Sequence, residues 1–426
     1  MSAPKRILAD VLVRNASQVI TARGFSTRPK SGNGEMNDLG IIEDGALAIK
    51  NGKIVWVGGT ADIGKNIEID ETVRNIDARE QIVTPGLIDT HNHLIFAGLK
   101  EKEFLERIYQ GTSYLEMAAK GRGVIKTVEA TRLASDVALL DQGKKRAKRM
   151  VKEGILTSEA KSGYGLTYQE EIRILKIVKE LGKASPMCLV PTLLAHGIPP
   201  EYKDKPDYFV DMFINQLMPQ VAEEQLAKFC DVPYVPKRIF SENQCLKILK
   251  KANDLGLKAR IHADEFSADG GAEFAARIRA HTVDHCNFTG KEGVNDLRES
   301  KTMVNLLPLV PFNLQSNDYA NARLMIDSGV AVALGTDFNA SFFNHSMLLA
   351  ISLACMKMKM TPAEAINAAT INAAHSVGVA MKKGSLEVGK DADILILDVP
   401  NYSCIPYVLG MNIIESTIIM GEFVNG

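Results

Sequence analysis

Eight apolar runs, each short enough for one strand, recur through the middle of the chain and alternate with amphipathic stretches typical of helices. Strands that alternate with helices form parallel sheets of repeated βα units, and eight such units close into a (β/α)8 TIM barrel. We therefore expect a barrel over residues 81–384. Its candidate strands lie within residues 82–93, 155–165, 187–197, 229–235, 258–266, 281–288, 302–310 and 330–338.

The two ends of the chain have a different pattern, in which apolar and polar residues alternate over short stretches bounded by turn residues. These stretches are residues 7–23, 41–58, 391–399 and 415–426. Alternation is typical of half-buried strands, and the Asn51-Gly52 pair between two such stretches predicts a hairpin. We expect one small β-sandwich domain, built discontinuously from residues 1–80 and 385–426.

The charge balance points to a small-molecule partner. The 426 residues include 50 Lys and Arg against 51 Asp and Glu, a formal net charge of −1, so no excess charge would attract nucleic acid or an anionic membrane. The six cysteines lack the paired spacing of a thiolate metal site. Because neither a bilayer-spanning apolar stretch nor a secretory signal pattern is present, we expect a cytoplasmic enzyme.

Polar residues fall at one end of the predicted barrel. At or near the C-terminal ends of the apolar runs lie His91, His93, His196, His262, His285 and Asp337. That end of a TIM barrel carries the active site. In an extended strand His91 and His93 would project to the same face. His262 could add a third nitrogen and Asp337 an oxygen, a set of ligands that fits zinc or iron.

Two further residues could move protons beside such a metal. Glu265 follows His262 by three residues and is well placed if the strand ends at Asp264 and turns, since a carboxylate near an activated water can pass a proton to a leaving nitrogen. His285 is either an additional ligand or the base that orients and deprotonates the water, and we favour the base. We expect its neighbour Asp284 to face away, because side chains alternate along a strand.

Lys161 allows a different metal site. It lies near the end of the second candidate strand, and a carbamylated lysine bridges two metals in some barrel hydrolases. Because His262 followed by Ala-Asp-Glu suits a site with one metal, we expect Lys161 instead to pair with Glu159 or to support the following loop.

Five motifs carry a family resemblance: "TPGLIDTHNHLIFAG", "KSGYGL", "HADEF", "GTDFN" and "GSLEVGKDADILILD". Together they resemble the amidohydrolase superfamily and, within it, the imidazolonepropionase family, over nearly the whole chain. The resemblance implies a single zinc or iron per subunit, held by His91, His93, His262 and Asp337. It also implies hydrolytic opening of 4-imidazolone-5-propanoate to N-formimino-L-glutamate.

The resemblance assigns roles to the other candidates. Glu265, His285 and Asp337 would be the catalytic residues, with Glu265 delivering a proton to the departing ring nitrogen. His196 would hydrogen-bond the substrate carbonyl or its developing oxyanion. The family positions that line the substrate pocket match Tyr114 and Tyr164.

The chain departs from the family pattern at the predicted substrate pocket. An Arg expected to grip the propionate is replaced by Lys100, which lacks the bidentate fork of Arg. Arg122 interrupts a Gly-rich stretch, and our hypothesis is that its guanidinium supplies what Lys100 lacks. Asn339 matches the family, but Ala-Ser-Phe at residues 340–342 reshapes the wall that would contact the polar tail of the substrate.

Two other functions stay open. A deaminase, or another hydrolase of cyclic amidines or amides, could use the same metal site on a different heterocycle, and the departures at Lys100 and in "NASFF" at residues 339–343 keep it open. A catalytically inactive scaffold is disfavoured, because all four ligand residues are present. The family resemblance also suggests a homodimer, although no stretch of the sequence indicates an interface.

Overall fold

The computed structural model describes residues 6–112, 116–117, 122–235 and 239–424. The strands of these residues form three sheets: a parallel sheet of eight strands, a mixed sheet of eight strands, and a pair formed by Ile7–Leu8 and Ile67–Glu68. None of the helices in the described residues combines the length and apolar character needed to cross a bilayer.

The parallel sheet is the barrel expected from the sequence, because each of the eight apolar runs contains one of its strands. In chain order the barrel strands are Leu87–Asp89, Ile155–Lys161, Cys188–Leu194, Phe229–Pro233, Lys258–Ala263, Thr282–His285, Met303–Leu306 and Val332–Leu334. Each strand pairs with the next in the sequence. A bridge between Asn92 and Phe338 joins the two ends of the sheet. The TIM-barrel prediction is thereby confirmed.

Helices follow the barrel strands and pack against them through apolar faces. The helix Glu242–Asp254 begins with a capping box made by Ser241 and Gln244, and it buries Cys245, Ile248 and Leu249 on one face. The α-helices are Gly32–Met36, Ile63–Asn66, Glu101–Gln110, Val124–Leu133, Asp136–Lys152, Tyr168–Ala184, Pro206–Met212, Met218–Glu223, Glu242–Asp254, Gly271–Arg277, Lys291–Ser300, Leu309–Asn313, Ala322–Asp327, Met347–Met358, Pro362–Ala369, Ile371–Ser376 and Cys404–Tyr407. Two short 3₁₀ helices are Thr60–Asp62 and Pro200–Tyr202, and a π-helical turn is Phe213–Leu217.

The mixed sheet takes its strands from both ends of the chain. Its order is Glu422–Phe423, Ile414–Ile419, Ile394–Leu397, Ile82–Pro85, Val11–Ile20, Ile41–Lys50 and Lys53–Gly59, with Arg74–Asp77 paired to Val11–Ile20. Ile54 and Ile418, from strands near opposite edges, belong to one buried cluster. The sheet therefore folds over its own apolar core, as expected of a small β-sandwich, while the proposed domain boundaries stay a prediction.

One of the predicted barrel runs divides between the two large sheets. Ile82–Pro85 pairs with Ile394–Leu397 in the mixed sheet, and only Leu87–Asp89 joins the barrel. The chain passes from one sheet to the other at Gly86, where an added Cβ would lie 2.5 Å from the Leu156 side chain. A residue without a side chain is needed for this close approach.

Candidate active site

Four histidines and one aspartate converge at the C-terminal ends of the barrel strands. His91 and His93 follow the first strand, His262 lies in the fifth, His285 ends the sixth and Asp337 follows the eighth. Ligand atoms of His91, His93 and His262 lie within 4.8 Å of one another, and so do those of His91, His285 and Asp337. These five residues, called the histidine cluster below, could hold a metal ion.

The backbone takes a left-handed conformation at three strand ends beside this cluster. Asp264, His285 and Asp337 have φ angles of 50°, 74° and 51°, in the left-handed region that non-glycine residues adopt at a cost of about 1 kcal/mol or more. The fifth barrel strand ends at Ala263, so the predicted turn at Asp264 is confirmed. Strain of this kind is maintained where the surrounding structure holds a site in place.

The expectation that Asp284 faces away from the site is wrong. Its carboxylate is fully buried and accepts a hydrogen bond of 2.7 Å from His91 Nδ1 and one of 2.5 Å from Asn305 Nδ2. The strand leaves its extended conformation at His285, whose φ is 74°, and alternation therefore fails between these two neighbours. Both side chains turn toward the barrel interior.

Asp231, which the sequence interpretation missed, supports His262 in the same way. Its Oδ1 lies 3.0 Å from His262 Nδ1. A carboxylate accepts hydrogen bonds, so the Nδ1 atoms of His91 and His262 carry the protons and leave Nε2 as the atom available to a metal. The signal in the sequence was a charged residue within an apolar strand, "FCDVPYV".

Two properties of the histidine cluster suit a metal ion: buried ring nitrogens without hydrogen-bond partners in the described part of the chain, and lowered pKa values of several of its histidines. His91 Nε2 and both ring nitrogens of His285 are buried without a hydrogen-bond partner among the described residues, which is costly unless another group binds there. Burial lowers the pKa of His91 and His93 well below the ordinary value and that of His285 to about 3. Neutral imidazole is the form that binds a metal.

Glu265 lies beside the histidine cluster, with Oε2 3.8 Å from His285 Nε2. Burial, and then the nearby charge of Asp337, raises the pKa of Glu265 to about 8. The carboxyl group therefore keeps a proton at neutral pH in the metal-free protein. A carboxyl with a pKa near the working pH can both accept and donate a proton during a reaction.

His196 and Tyr164 lie beside His93. Their ring centres are 5.5 Å and 5.6 Å from that of His93. Asn339 is hydrogen-bonded within its own turn: Nδ2 lies 3.0 Å from Asp337 Oδ1, and Oδ1 accepts from the backbone N–H groups of residues 341 and 342. Tyr114 lies outside the described residues.

Comparison with known proteins identifies the family. The model of the amidohydrolase family matches residues 234–424. The imidazolonepropionase of Alkaliphilus metalliredigens is 41% identical over 420 residues, 98% of this chain and 98% of that protein. The imidazolonepropionase of Brevibacillus brevis is 42% identical over 418 residues, 97% of each chain. The chain belongs to the imidazolonepropionase family.

Solved structures agree with the fold of this imidazolonepropionase family member. A zinc-bound adenosine deaminase from Xanthomonas campestris superposes with a TM-score of 0.70 at 18% identity, over 98% of this chain and 93% of that one. The guanine deaminase of E. coli also gives a TM-score of 0.70 at 18% identity, over 97% and 98%. At this level of identity the likeness concerns the fold alone.

The two basic residues that mark departures from the imidazolonepropionase pattern differ in their surroundings. Lys100 Nζ is buried and donates to the carbonyl oxygen of Gly123, and burial lowers the pKa of Lys100 to about 8. The Arg122 side chain is 42% exposed and forms an ion pair with Glu106.

A different guanidinium lies at the mouth of the site. A cavity of about 380 Å³ is lined by Glu265 and by Arg107 of the helix Glu101–Gln110. Arg107 is buried, with its guanidinium carbon 5.7 Å from the ring centre of Phe342. Sequence reasoning missed Arg107, because the cavity forms between elements that are distant in the chain.

Proposed function

We propose that this chain hydrolyses the cyclic amide C–N bond of 4-imidazolone-5-propanoate to give N-formimino-L-glutamate, a step of histidine degradation. The observation that carries the proposal is the histidine cluster beside Glu265, in a chain 41% identical to an imidazolonepropionase over 98% of both lengths. Opening the ring requires an activated water and a proton for the departing nitrogen, and this arrangement can supply both.

We infer that the metal is one zinc or iron ion per subunit, held by His91, His93, His262 and Asp337. Their proximity, the lowered pKa values of His91 and His93 and the unpaired His91 Nε2 support this ligand set. The Asp231 carboxylate outweighs burial and raises the pKa of His262, so a metal would displace a proton from that ring. A bound ion of this kind would acidify a water and polarise the ring carbonyl of the substrate.

The proton steps belong to His285 and Glu265 in this proposal. As the water oxygen bonds to the ring carbonyl carbon, His285 accepts a proton from the water. As the C–N bond breaks, Glu265 donates its proton to the departing nitrogen. The proton taken by His285 then restores Glu265; because His285 Nε2 and Glu265 Oε2 are 3.8 Å apart, this transfer requires the two side chains to approach or one water to lie between them.

His196 is proposed to bind a ring N–H of the substrate rather than its carbonyl oxygen. His196 Nδ1 lies 3.1 Å from the carbonyl oxygen of Gly163, which can only accept, so Nδ1 carries the proton. Burial lowers the pKa of His196 to about 3, so the ring is neutral and its Nε2 is an acceptor. This revises the oxyanion role that the resemblance implied.

For the anionic tail of the substrate we propose Arg107 in preference to Arg122. Arg107 lines the cavity that also contains Glu265, whereas Arg122 is half-exposed and paired with Glu106. The buried ammonium of Lys100 would add a point charge. A homodimer and a cytoplasmic location stay predictions.

The proposed function is tested with freshly prepared 4-imidazolone-5-propanoate and protein reconstituted with Zn²⁺ or Fe²⁺. We expect loss of the imidazolone ultraviolet absorbance, N-formimino-L-glutamate as product, and neither with His262→Ala. A protein that binds metal but leaves this compound intact would contradict the proposal.

A deaminase acting on another heterocycle is the second candidate, favoured by the buried apolar ring of Phe342, which lies 5.7 Å from the Arg107 guanidinium. Its signature is ammonia release from a neutral ring compound. Ammonia release without turnover of the imidazolone acid would replace the first proposal by the second.

A further inference from the structure

Five charged side chains fill the barrel interior beneath the histidine cluster, all with 0% exposure: Glu159, Lys161, Asp231, Arg260 and Asp284. We call them the ionic network. Three carboxylates face two cations in the network, and none of the five residues contributes a ligand to the histidine cluster. Charged groups are rarely buried this deeply unless they are paired, so the arrangement requires a function.

Lys161 is the centre of the ionic network. Its Nζ lies 2.9 Å from Glu159 Oε2, 2.5 Å from Asp231 Oδ2 and 3.7 Å from Asp284 Oδ2. The predicted pairing of Lys161 with Glu159 is therefore confirmed. A carbamate at Lys161 would be an anion among three carboxylates, and this neighbourhood disfavours it.

The two aspartates that contact Lys161 are the same two that hold histidines. Asp284 Oδ2 accepts from His91 Nδ1 at 2.7 Å, and Asp231 Oδ1 accepts from His262 Nδ1 at 3.0 Å. A single ammonium thus lies between the supports of two rings. It hydrogen-bonds Asp231 and makes a longer ionic contact with Asp284, whose Oδ2 also lies 3.5 Å from Arg260 Nη2.

Arg260 completes the ionic network on its other side. Its Nη1 lies 3.1 Å from Glu159 Oε1, and its Nη2 donates to the carbonyl oxygen of Thr90 at 2.7 Å. Thr90 precedes His91, and the backbone N–H of Lys161 donates to the carbonyl oxygen of Asn92 at 2.9 Å. The chain on both sides of His91 is therefore fixed to the same network.

We propose that Lys161 is a positioning residue that couples His91 to His262: its ammonium holds Asp231 and Asp284, and through them it orients both rings toward one metal ion. Removing either aspartate takes one of three carboxylates from around the Lys161 ammonium, which then moves toward the carboxylates that remain and draws the other aspartate away from its histidine. The two histidines therefore lose or keep their geometry together. Partners of metal-bound histidines contribute about 10- to 100-fold in metal affinity.

The test measures the Zn²⁺ dissociation constant by competition with a chromophoric chelator, together with the absorption spectrum of Co²⁺-loaded protein. The variants are Asp231→Asn, Asp284→Asn and their combination, each with Lys161 intact and with Lys161→Met. We expect each single aspartate change to weaken Zn²⁺ binding about 10- to 100-fold. With Lys161 intact, the Zn²⁺ dissociation constant of the double variant should be at least about fivefold lower than the value obtained by multiplying the two single-variant effects. In the Lys161→Met background the two effects should simply multiply.

The control is Lys30→Met, because Lys30 is also fully buried but contacts the carbonyl oxygen of Asp38, away from the histidine cluster. It should leave Zn²⁺ affinity and the Co²⁺ spectrum unchanged. If Lys161→Met does not fold, the three aspartate variants with Lys161 intact still measure the coupling between the two positions. Single-variant effects on the Zn²⁺ dissociation constant that simply multiply in the double variant would overturn the proposal.

This inference rests on the proposed metal site but not on the proposed substrate. Wild-type protein that bound no Zn²⁺ would overturn both the metal site and the coupling. Tight wild-type binding with independent effects of the two aspartates would overturn the coupling alone.

Discussion

The floor and the mouth of the candidate site are built differently. At the floor, His91 and His262 are held by carboxylates that are themselves tied to Lys161, and every one of these side chains comes from or directly follows a barrel strand. At the mouth, Arg107 comes from the helix Glu101–Gln110, and Phe342 comes from the segment after the eighth strand.

This difference separates reaction chemistry from substrate choice. A displaced ligand at the floor would disturb the ionic network as well as the metal, so the floor tolerates little change. The mouth rests on packing and on the single charge of Arg107. We expect changes at the floor to abolish turnover and changes at the mouth to alter mainly KM.

The largest effect is expected for His262→Ala. It removes one proposed ligand and leaves Asp231 without its ring partner, so kcat/KM should fall about 10³-fold or more, with loss of bound metal. Activity is followed by ultraviolet absorbance and metal content by elemental analysis. The control is His281→Ala, since His281 Nε2 contacts backbone carbonyls of residues 375 and 376, outside the histidine cluster. Metal retained by His262→Ala at the wild-type level would remove His262 from the ligand set.

Glu265→Gln is expected to lower kcat about 10²- to 10⁴-fold while metal content stays at the wild-type level. The amide keeps the shape of the carboxyl group but cannot donate its proton to the leaving nitrogen. Measurements of kcat, KM and bound metal on the same preparation separate this role from a structural one. A variant that lost metal together with activity would place Glu265 among the ligands instead.

The same residue predicts a pH effect on the metal-free protein. Because the pKa of Glu265 is raised to about 8 in the fold, protonation of this group contributes stability that is present at acid pH and is lost as the pH rises through about 8. The Tm of chelator-treated wild type, relative to that of Glu265→Gln, should therefore fall by a few degrees between pH 5 and pH 9. A constant difference would show that Glu265 is already ionised at pH 5.

The floor could be predicted from the sequence only in part. His91, His93, His262 and Asp337 stand out because polar residues follow apolar runs. Their supports were hidden inside such runs. For Asp284, period-two alternation gave the wrong face, since the left-handed φ of His285 cannot be inferred from spacing.

The barrel itself was predictable because each of its strands is a separate apolar run with turn signals on both sides. The first predicted barrel run is the exception, since Ile82–Pro85 belongs to the mixed sheet and the chain continues after Gly86 into a strand of the barrel. Arg107 could not be found, because nothing local distinguishes a helix residue that lines a cavity from one that faces solvent.

At the mouth, Arg107→Met is expected to raise KM for 4-imidazolone-5-propanoate at least about tenfold with little change in kcat, because a charged hydrogen bond to the tail is lost. Arg122→Met, which breaks an exposed ion pair with Glu106, should change KM less than about twofold. Steady-state kinetics of both variants decide between the two guanidinium groups. A larger rise in KM for Arg122→Met than for Arg107→Met would assign binding of the anionic tail to Arg122.

The smallest effect is expected for Phe342→Leu. The substitution keeps an apolar side chain in the buried cluster with Leu307, Val310 and Leu314, but it removes the ring 5.7 Å from the Arg107 guanidinium. A cation–π contact contributes about 0.5–1 kcal/mol, so KM should rise about two- to fivefold.

The rise should vanish when Phe342→Leu is combined with Arg107→Met, because the ring then has no cation to hold. A rise of equal size in both backgrounds would mean that Phe342 contacts the substrate directly. The wall at residues 340–342 would then be a determinant of specificity in its own right, and the mouth would recognise the substrate by shape as well as by charge.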